Sequence, residues 1–175
     1  HARALGAPHI VRVLVDDMGF NDVGYQSTDL AGATPVLDAL AADGVVLAQF
    51  YAQSTCTPTR ASLLTGLHAS RAGLAHDTIG ARAPYGLPLQ HVLLPQYLKR
   101  ARGYATHLVG KWDVGHFAAD FLPQARGFDT FFGFYSSFAS YFSYVAELGN
   151  CADPACYRDM RDGEEPYAGN GTYAT

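Results

Sequence analysis

Charged side chains are scarce in this chain of 175 residues, 16% of the total with a net charge of −4, and no run of Lys or Arg occurs. Nucleic acid and anionic membrane surfaces are bound by clustered cations, so neither is expected as a partner. Lysine stands only at Lys99 and Lys111, and cysteine only at three positions. No apolar stretch is long enough to cross a bilayer, so no transmembrane segment is expected. Internal repeats and low-complexity segments are missing, and no signal peptide is visible at His1, a first residue that suggests trimming. What the chain has in quantity is apolar side chains, 49% of the total, enough for one domain-sized core.

Apolar runs alternate with helical patterns. Residues 10–15, Ile-Val-Arg-Val-Leu-Val, read as a buried strand ending at Asp16-Asp17, with Arg12 needing a carboxylate or an edge position. Thr34-Pro35 opens a helix that runs through Ala42 and stops at Gly44, and Val45 to Tyr51 reads as the next strand. Leu94 to Arg102 is a helix closed by Gly103, and Tyr104 to Val109 is a strand leading into Gly110-Lys111-Trp112. This alternation predicts an α/β fold with a mainly parallel sheet flanked by helices. Asp16, Asp17 and Lys111 fall at carboxyl ends of strands, where such folds bind ligands.

The densest chemistry is in Cys56-Thr57-Pro58-Thr59-Arg60, followed by Ala61-Ser62-Leu63-Leu64-Thr65-Gly66. Pro58 suits the first position of a helix, with Thr57 as its N-cap. Cys56 would then sit just ahead of the helix, where unpaired amides and the dipole favour an anion. Arg60 adds a forked cation that can grip a tetrahedral oxyanion. A buried structural cysteine before an ordinary helix is the plainer alternative. Asp16-Asp17 is either a turn or a pair of hard oxygen ligands for Ca²⁺ or Mg²⁺. Lys111 is either a loop lysine beside a packed Trp or an anion contact.

Taken whole, Cys-x-Pro-x-Arg with the small residue, apolar pair and Thr-Gly that follow resembles the signature of the type I sulfatases, of the alkaline phosphatase-like superfamily. The segment from Leu14 to Gly24 and the Gly110-Lys111-Trp112 motif resemble two further signatures of that family. Residues 34–40, 93–95, 126–133 and 161–165 look like the arylsulfatase B type, the N-acetylgalactosamine 4-sulfatase branch. The resemblance implies that residues 1–175 are the N-terminal part of a sulfatase catalytic domain. It also implies that Cys56 is oxidised to formylglycine by a formylglycine-generating enzyme. Asp16, Asp17 and residue 56 would bind a divalent cation, Ca²⁺ before Mg²⁺, and Arg60 and Lys111 would contact the sulfate of a sulfate ester substrate. His76 falls where relatives have a polar active-site rim. Family ligands such as an Asp-Asn pair and a further Lys and His are expected beyond Thr175.

One position departs from the pattern: Asp113 stands where the family usually has His. A carboxylate repels a sulfate oxygen, whereas an imidazole can shuttle a proton. His116 lies three residues further on. The expected function is sulfuric ester hydrolysis, with a degenerate, non-catalytic sulfatase-like protein as the alternative. A related phosphoesterase is disfavoured, since those enzymes carry Ser or Thr at the place of Cys56. His9, His68, His91 and His107 read as structural or surface residues, and Lys99-Arg100-Ala101-Arg102 as a solvated face. Cys151 and Cys156 read as a short disulfide or, with less support, a metal pair. Asn170-Gly171-Thr172 fits the glycosylation pattern.

Overall fold

A computed structural model describes residues 6–146, 157–167 and 169. Cys151, Cys156 and the Asn170 sequon lie outside the described residues. The chain divides into a larger unit, His1–Ala7 with Gln53–Thr175, and a smaller one, Pro8–Ala52.

In the smaller unit the helix expected after Thr34 is present as α1, Pro35–Asp43. Thr34 fixes its start: the hydroxyl accepts from the Gly24 amide at 2.8 Å and donates to Asp38 Oδ1 at 2.9 Å. The two expected strands of this unit are not formed. Residues 10–15 and 45–51 are irregular, and Val11, Val13 and Val45 are 79–87% exposed. The reason is physical: a strand exists only as half of a ladder, and among the described residues nothing pairs with either segment. The premise for Arg12 falls with it, because the guanidinium lies in an exposed segment and not inside a buried strand.

Among its described residues the larger unit holds three α-helices, a short 3-10 turn at Ala119–Phe121 and the sheet. Helix α2 spans Cys56–Thr65, α3 Ala69–Ala72 and α4 Leu94–Arg102. Gly66 and Gly103 end α2 and α4 in the left-handed conformation, each returning its amide to the preceding turn. Strands β1, His107–Lys111, β2, Thr130–Phe134, β3, Met160–Asp162, and β4, Glu165–Pro166, are ordered β1-β2-β3-β4. The first pair is parallel and the other two are antiparallel, so the sheet of this α/β unit is mixed. The strand expected over residues 104–109 is displaced toward the Gly-Lys-Trp motif. Its ladder continues past β1, with the amides of Trp112 and Asp113 donating to Phe134 and Tyr135 carbonyls at 2.9 and 3.0 Å.

Leu74, Ile79, Leu87, Leu93, Trp112, Val114, Phe131 and Tyr135 form the core, with Ala61 of α2 against them. Trp112 is 2% exposed, and its indole donates to the carbonyls of Gly115 and Phe121. Arg126, also buried, spends its guanidinium on the carbonyls of Leu87 and His91 at 2.7 and 3.1 Å. Lys99 is not merely solvated. It pairs with Asp129 at 2.6 Å, tying α4 to the entry of β2 and holding that carboxyl below its ordinary range. His68 caps α3 and His107 bonds Thr130, the structural roles expected of them.

Where β1 and β2 approach, Gly133 leaves no room for a side chain: a Cβ there would lie 1.9 Å from the Gly110 carbonyl oxygen. Gly133→Ala is therefore expected to lose at least about 1 kcal/mol in urea unfolding, since overpacking forces the backbone to move. An unchanged midpoint would show that the two strands are not so closely set.

Candidate functional site

Helix α2 starts two residues earlier than its sequence predicts. Thr55 is the N-cap residue and Cys56 is the first helical residue, half-buried, with Pro58 in the first turn. The correction has a cause. Thr57 does not cap the helix because its hydroxyl is taken by tertiary contacts. It donates to Asp113 Oδ1 at 2.7 Å and accepts from the Ile79 amide at 2.9 Å.

The same helix reaches the end of β1 a second time. Arg60 Nη1 donates to the carbonyl of Lys111. Two of the expected sulfate contacts are thus joined, and α2 is fastened to the Gly-Lys-Trp segment and the residue after it through both Thr57 and Arg60. The Lys111 side chain is 7% exposed, with Nζ 3.7 Å from Asp113 Oδ2.

Asp113 is the centre of this arrangement. Its φ of 56° is a left-handed value that Asp tolerates better than most residues, and its side chain is fully buried. Besides Thr57 it meets Ser137, whose hydroxyl lies 2.6 Å from Oδ1 and 2.9 Å from the Ile79 carbonyl. Oδ2 has no hydrogen-bond partner. Burial pushes the carboxyl above its ordinary value, against the opposing effects of the two hydroxyls, Lys111 and Arg60. Thr57, Ile79 and Ser137 were not foreseen as site residues. Thr57 had a local reading as a cap, and nothing in the sequence around Ser136-Ser137 marks it. A second buried carboxylate steadies the same loop, since Asp159 Oδ2 accepts from the Ser136 amide at 2.7 Å and from its hydroxyl.

His76 has an exposed side chain, and its carbonyl accepts from the Thr55 hydroxyl at 3.4 Å beside the start of α2. His116 Nε2 lies 3.2 Å from the Tyr157 hydroxyl, with the ring stacked on Tyr135. Burial pushes the Tyr135 phenol up to about 12, so it stays neutral. In the smaller unit, Asp16 and Asp17 are adjacent and exposed on a turn, with Asp17 at φ 51°.

A family model described as sulfatase matches residues 8–162. The chain belongs to the sulfatase family. It is similar to arylsulfatase J of Mus musculus, 41% identical over 171 residues that cover 96% of this chain and 27% of that protein. With N-acetylgalactosamine-6-sulfatase of Homo sapiens it shares 41% over 134 residues, 72% of this chain and 25% of the relative. The chain thus spans about a quarter of the length of the curated relatives it matches. Among solved structures, the PsFucS1 sulfatase from Pseudoalteromonas sp. superposes with a TM-score of 0.60 at 38% identity, covering 70% of this chain and 25% of that one. Ps i-CgsB in complex with k-i-k-neocarrahexaose gives 0.61 at 27% identity, with 73% and 28% covered. The fold is accordingly the alkaline phosphatase-like α/β fold of the sulfatases.

Two outcomes test this geometry. Thr57→Val keeps the shape but strands the Ile79 amide and one acceptor of Asp113, and should lose about 1–3 kcal/mol in urea unfolding. The second is a pH dependence. The folded Asp113 carboxyl binds its proton more tightly than the unfolded one. Its contribution is complete below the ordinary carboxylate range and is lost as pH rises through the raised folded value. Asp113→Asn should therefore unfold with a flatter pH profile than wild type across that window, and parallel profiles would contradict the burial of this group.

Proposed function

We propose that this sulfatase-family chain is the N-terminal part of a sulfuric ester hydrolase of the arylsulfatase type, acting on sulfate esters of sugars. The observation that supports it most is the Arg60 bond to the Lys111 carbonyl, which joins the two motifs from which an anion site would be built. The sugar substrate class rests on the relatives: one is named for N-acetylgalactosamine 6-sulfate chemistry and one solved neighbour is in complex with a neocarrahexaose. The arylsulfatase B branch rests on sequence likeness alone. A secretory-pathway compartment is the matching localisation, and no helix among the described residues is long and apolar enough to cross a membrane.

Cys56, once converted by a formylglycine-generating enzyme, would supply a hydrated aldehyde with two hydroxyls. One attacks sulfur as the bond from sulfur to the leaving alcohol breaks and the alcohol takes up a proton. The second hydroxyl then gives up its proton, the aldehyde carbonyl re-forms and sulfate departs. A thiol has no second hydroxyl, so its sulfur-bound intermediate would have no such exit. Arg60 and Lys111 offset charge on the sulfuryl oxygens. Asp16, Asp17 and residue 56 would hold the divalent cation, Ca²⁺ in preference to Mg²⁺. Exposed carboxylates on one turn suit a hard cation, but they fall short of the roughly six to eight oxygens that Ca²⁺ takes, so other ligands must complete the shell. When bound, such a cation lowers the pKa of a coordinated hydroxyl.

The second reading, a degenerate sulfatase-like protein that turns nothing over, is favoured by Asp113 in place of His. Co-expression with a formylglycine-generating enzyme and calcium separates the two. Mass analysis should show Cys56 converted, and an aryl sulfate should be hydrolysed, with Arg60→Gln lowering kcat/KM roughly a hundredfold. Conversion without turnover, both in this chain and in a version extended to the length of its relatives, would leave only the degenerate reading.

A further inference from the structure

Counting protons around Asp113 leads beyond the reading just given, on which its functional consequence rests. Buried Thr57 Oγ1 and Asp113 Oδ1, the peptide groups of buried Ile79 and the half-buried Ser137 Oγ form a closed circuit. Ile79 N–H can only donate, so Thr57 accepts from it and must turn its own proton to Asp113. Ile79 C=O can only accept, and Ser137 has one proton for two claimants, that carbonyl and Asp113 Oδ1. If Asp113 is ionised, one of the two is left short inside the core. If Oδ1 carries a proton, the circuit closes: Thr57 donates to Oδ1, Oδ1–H to Ser137, Ser137 to the Ile79 carbonyl, and the Ile79 amide to Thr57. The remaining oxygen, Oδ2, is then a carbonyl oxygen, which is far less costly to bury without a partner than a carboxylate oxygen.

We propose that Asp113 is a neutral carboxylic acid at neutral pH, a positioning residue that joins α2 to the end of β1 and adds no negative charge beside Lys111. The groups facing it agree with this. Lys111 on β1 and Arg60 on α2 are the nearby cations, and both favour ionisation, yet burial outweighs them. The loop after β2 contributes only hydroxyl and peptide groups, and the neighbouring Tyr135 phenol stays protonated. His116, three residues on, is engaged with Tyr157.

The consequence bears on the one departure from the family pattern. A carboxylate at 113, its Oδ2 3.7 Å from Lys111 Nζ, would repel a sulfate bound there; a neutral acid does not. Ionisation at alkaline pH would switch the site off. Because coupling is reciprocal, a sulfate that binds roughly tenfold more tightly to the neutral form must raise the Asp113 pKa by about one unit.

The test follows the side-chain carboxyl carbon of Asp113 by NMR in the ¹³C-labelled whole chain, assigned through its own backbone, from about pH 5 to about pH 10, with and without inorganic sulfate. The expected result is a protonated carboxyl at neutral pH, titrating well above the ordinary carboxylate range and further up with sulfate present. Sulfate affinity should fall roughly tenfold through the same titration, and that alkaline fall should vanish in Asp113→Asn. A carboxylate signal at neutral pH overturns the proposal even if sulfate binds. A protonated carboxyl in a chain that binds no sulfate would count against the sulfatase site instead, while the protonation state would stand.

Discussion

The candidate site of this protein depends on one buried carboxyl group. Asp113 stands just past the end of β1, and α2, which carries Arg60, is fastened to it and to its neighbour Lys111. Its backbone amide extends the parallel ladder to Tyr135, its side chain takes up Thr57 from α2, and Ser137 meets it from the loop after β2. Arg60 adds a second fastening two residues upstream, on the Lys111 carbonyl. A carboxyl in such a place is costly unless it is satisfied, and the cost is what makes the arrangement specific: Thr57 and Ser137 have no equally good alternative.

This dependence explains why the departure from the family pattern does not disorganise the site. Replacing an imidazole by a shorter acid would ordinarily leave a gap and a charge. Here the left-handed backbone at residue 113 turns the side chain into the core, where two hydroxyls meet it. The position is thus structural as well as chemical. A reading of Asp113 only as a lost catalytic group misses that α2 is anchored through it.

Much of the larger unit was legible in the sequence because its signals are local. Pro95 and Gly103 bracket α4, and the Gly-Lys-Trp segment follows a strand as its apolar run requires. The strands of residues 10–15 and 45–51 were read from apolar runs alone, and such a run states only that a segment would be stable if covered. Pairing is a property of two segments, and the sequence of one does not contain it. Thr57 failed for the opposite reason: its local rule, capping, was overridden by a partner 56 residues away in sequence. Ser137, Ile79 and Asp159 left no local trace at all, since each matters only through where the chain returns.

The motif around Cys56 consequently carries two kinds of information. Its spacing states ancestry, and the sulfatase family match bears that out. Its geometry states something the spacing does not, namely that the cysteine opens a helix whose start is bonded to the end of β1 through Arg60 and to Asp113 just beyond it through Thr57. A nucleophile generated at residue 56 would inherit that rigidity, and positional precision at the reacting atom is the part of catalysis that a scaffold can provide before any substrate arrives. The carboxylates proposed as cation ligands, Asp16 and Asp17, belong to the smaller unit, whose own apolar segments are exposed. The contacts that join α2 to the end of β1 lie wholly within the larger unit and owe nothing to those carboxylates.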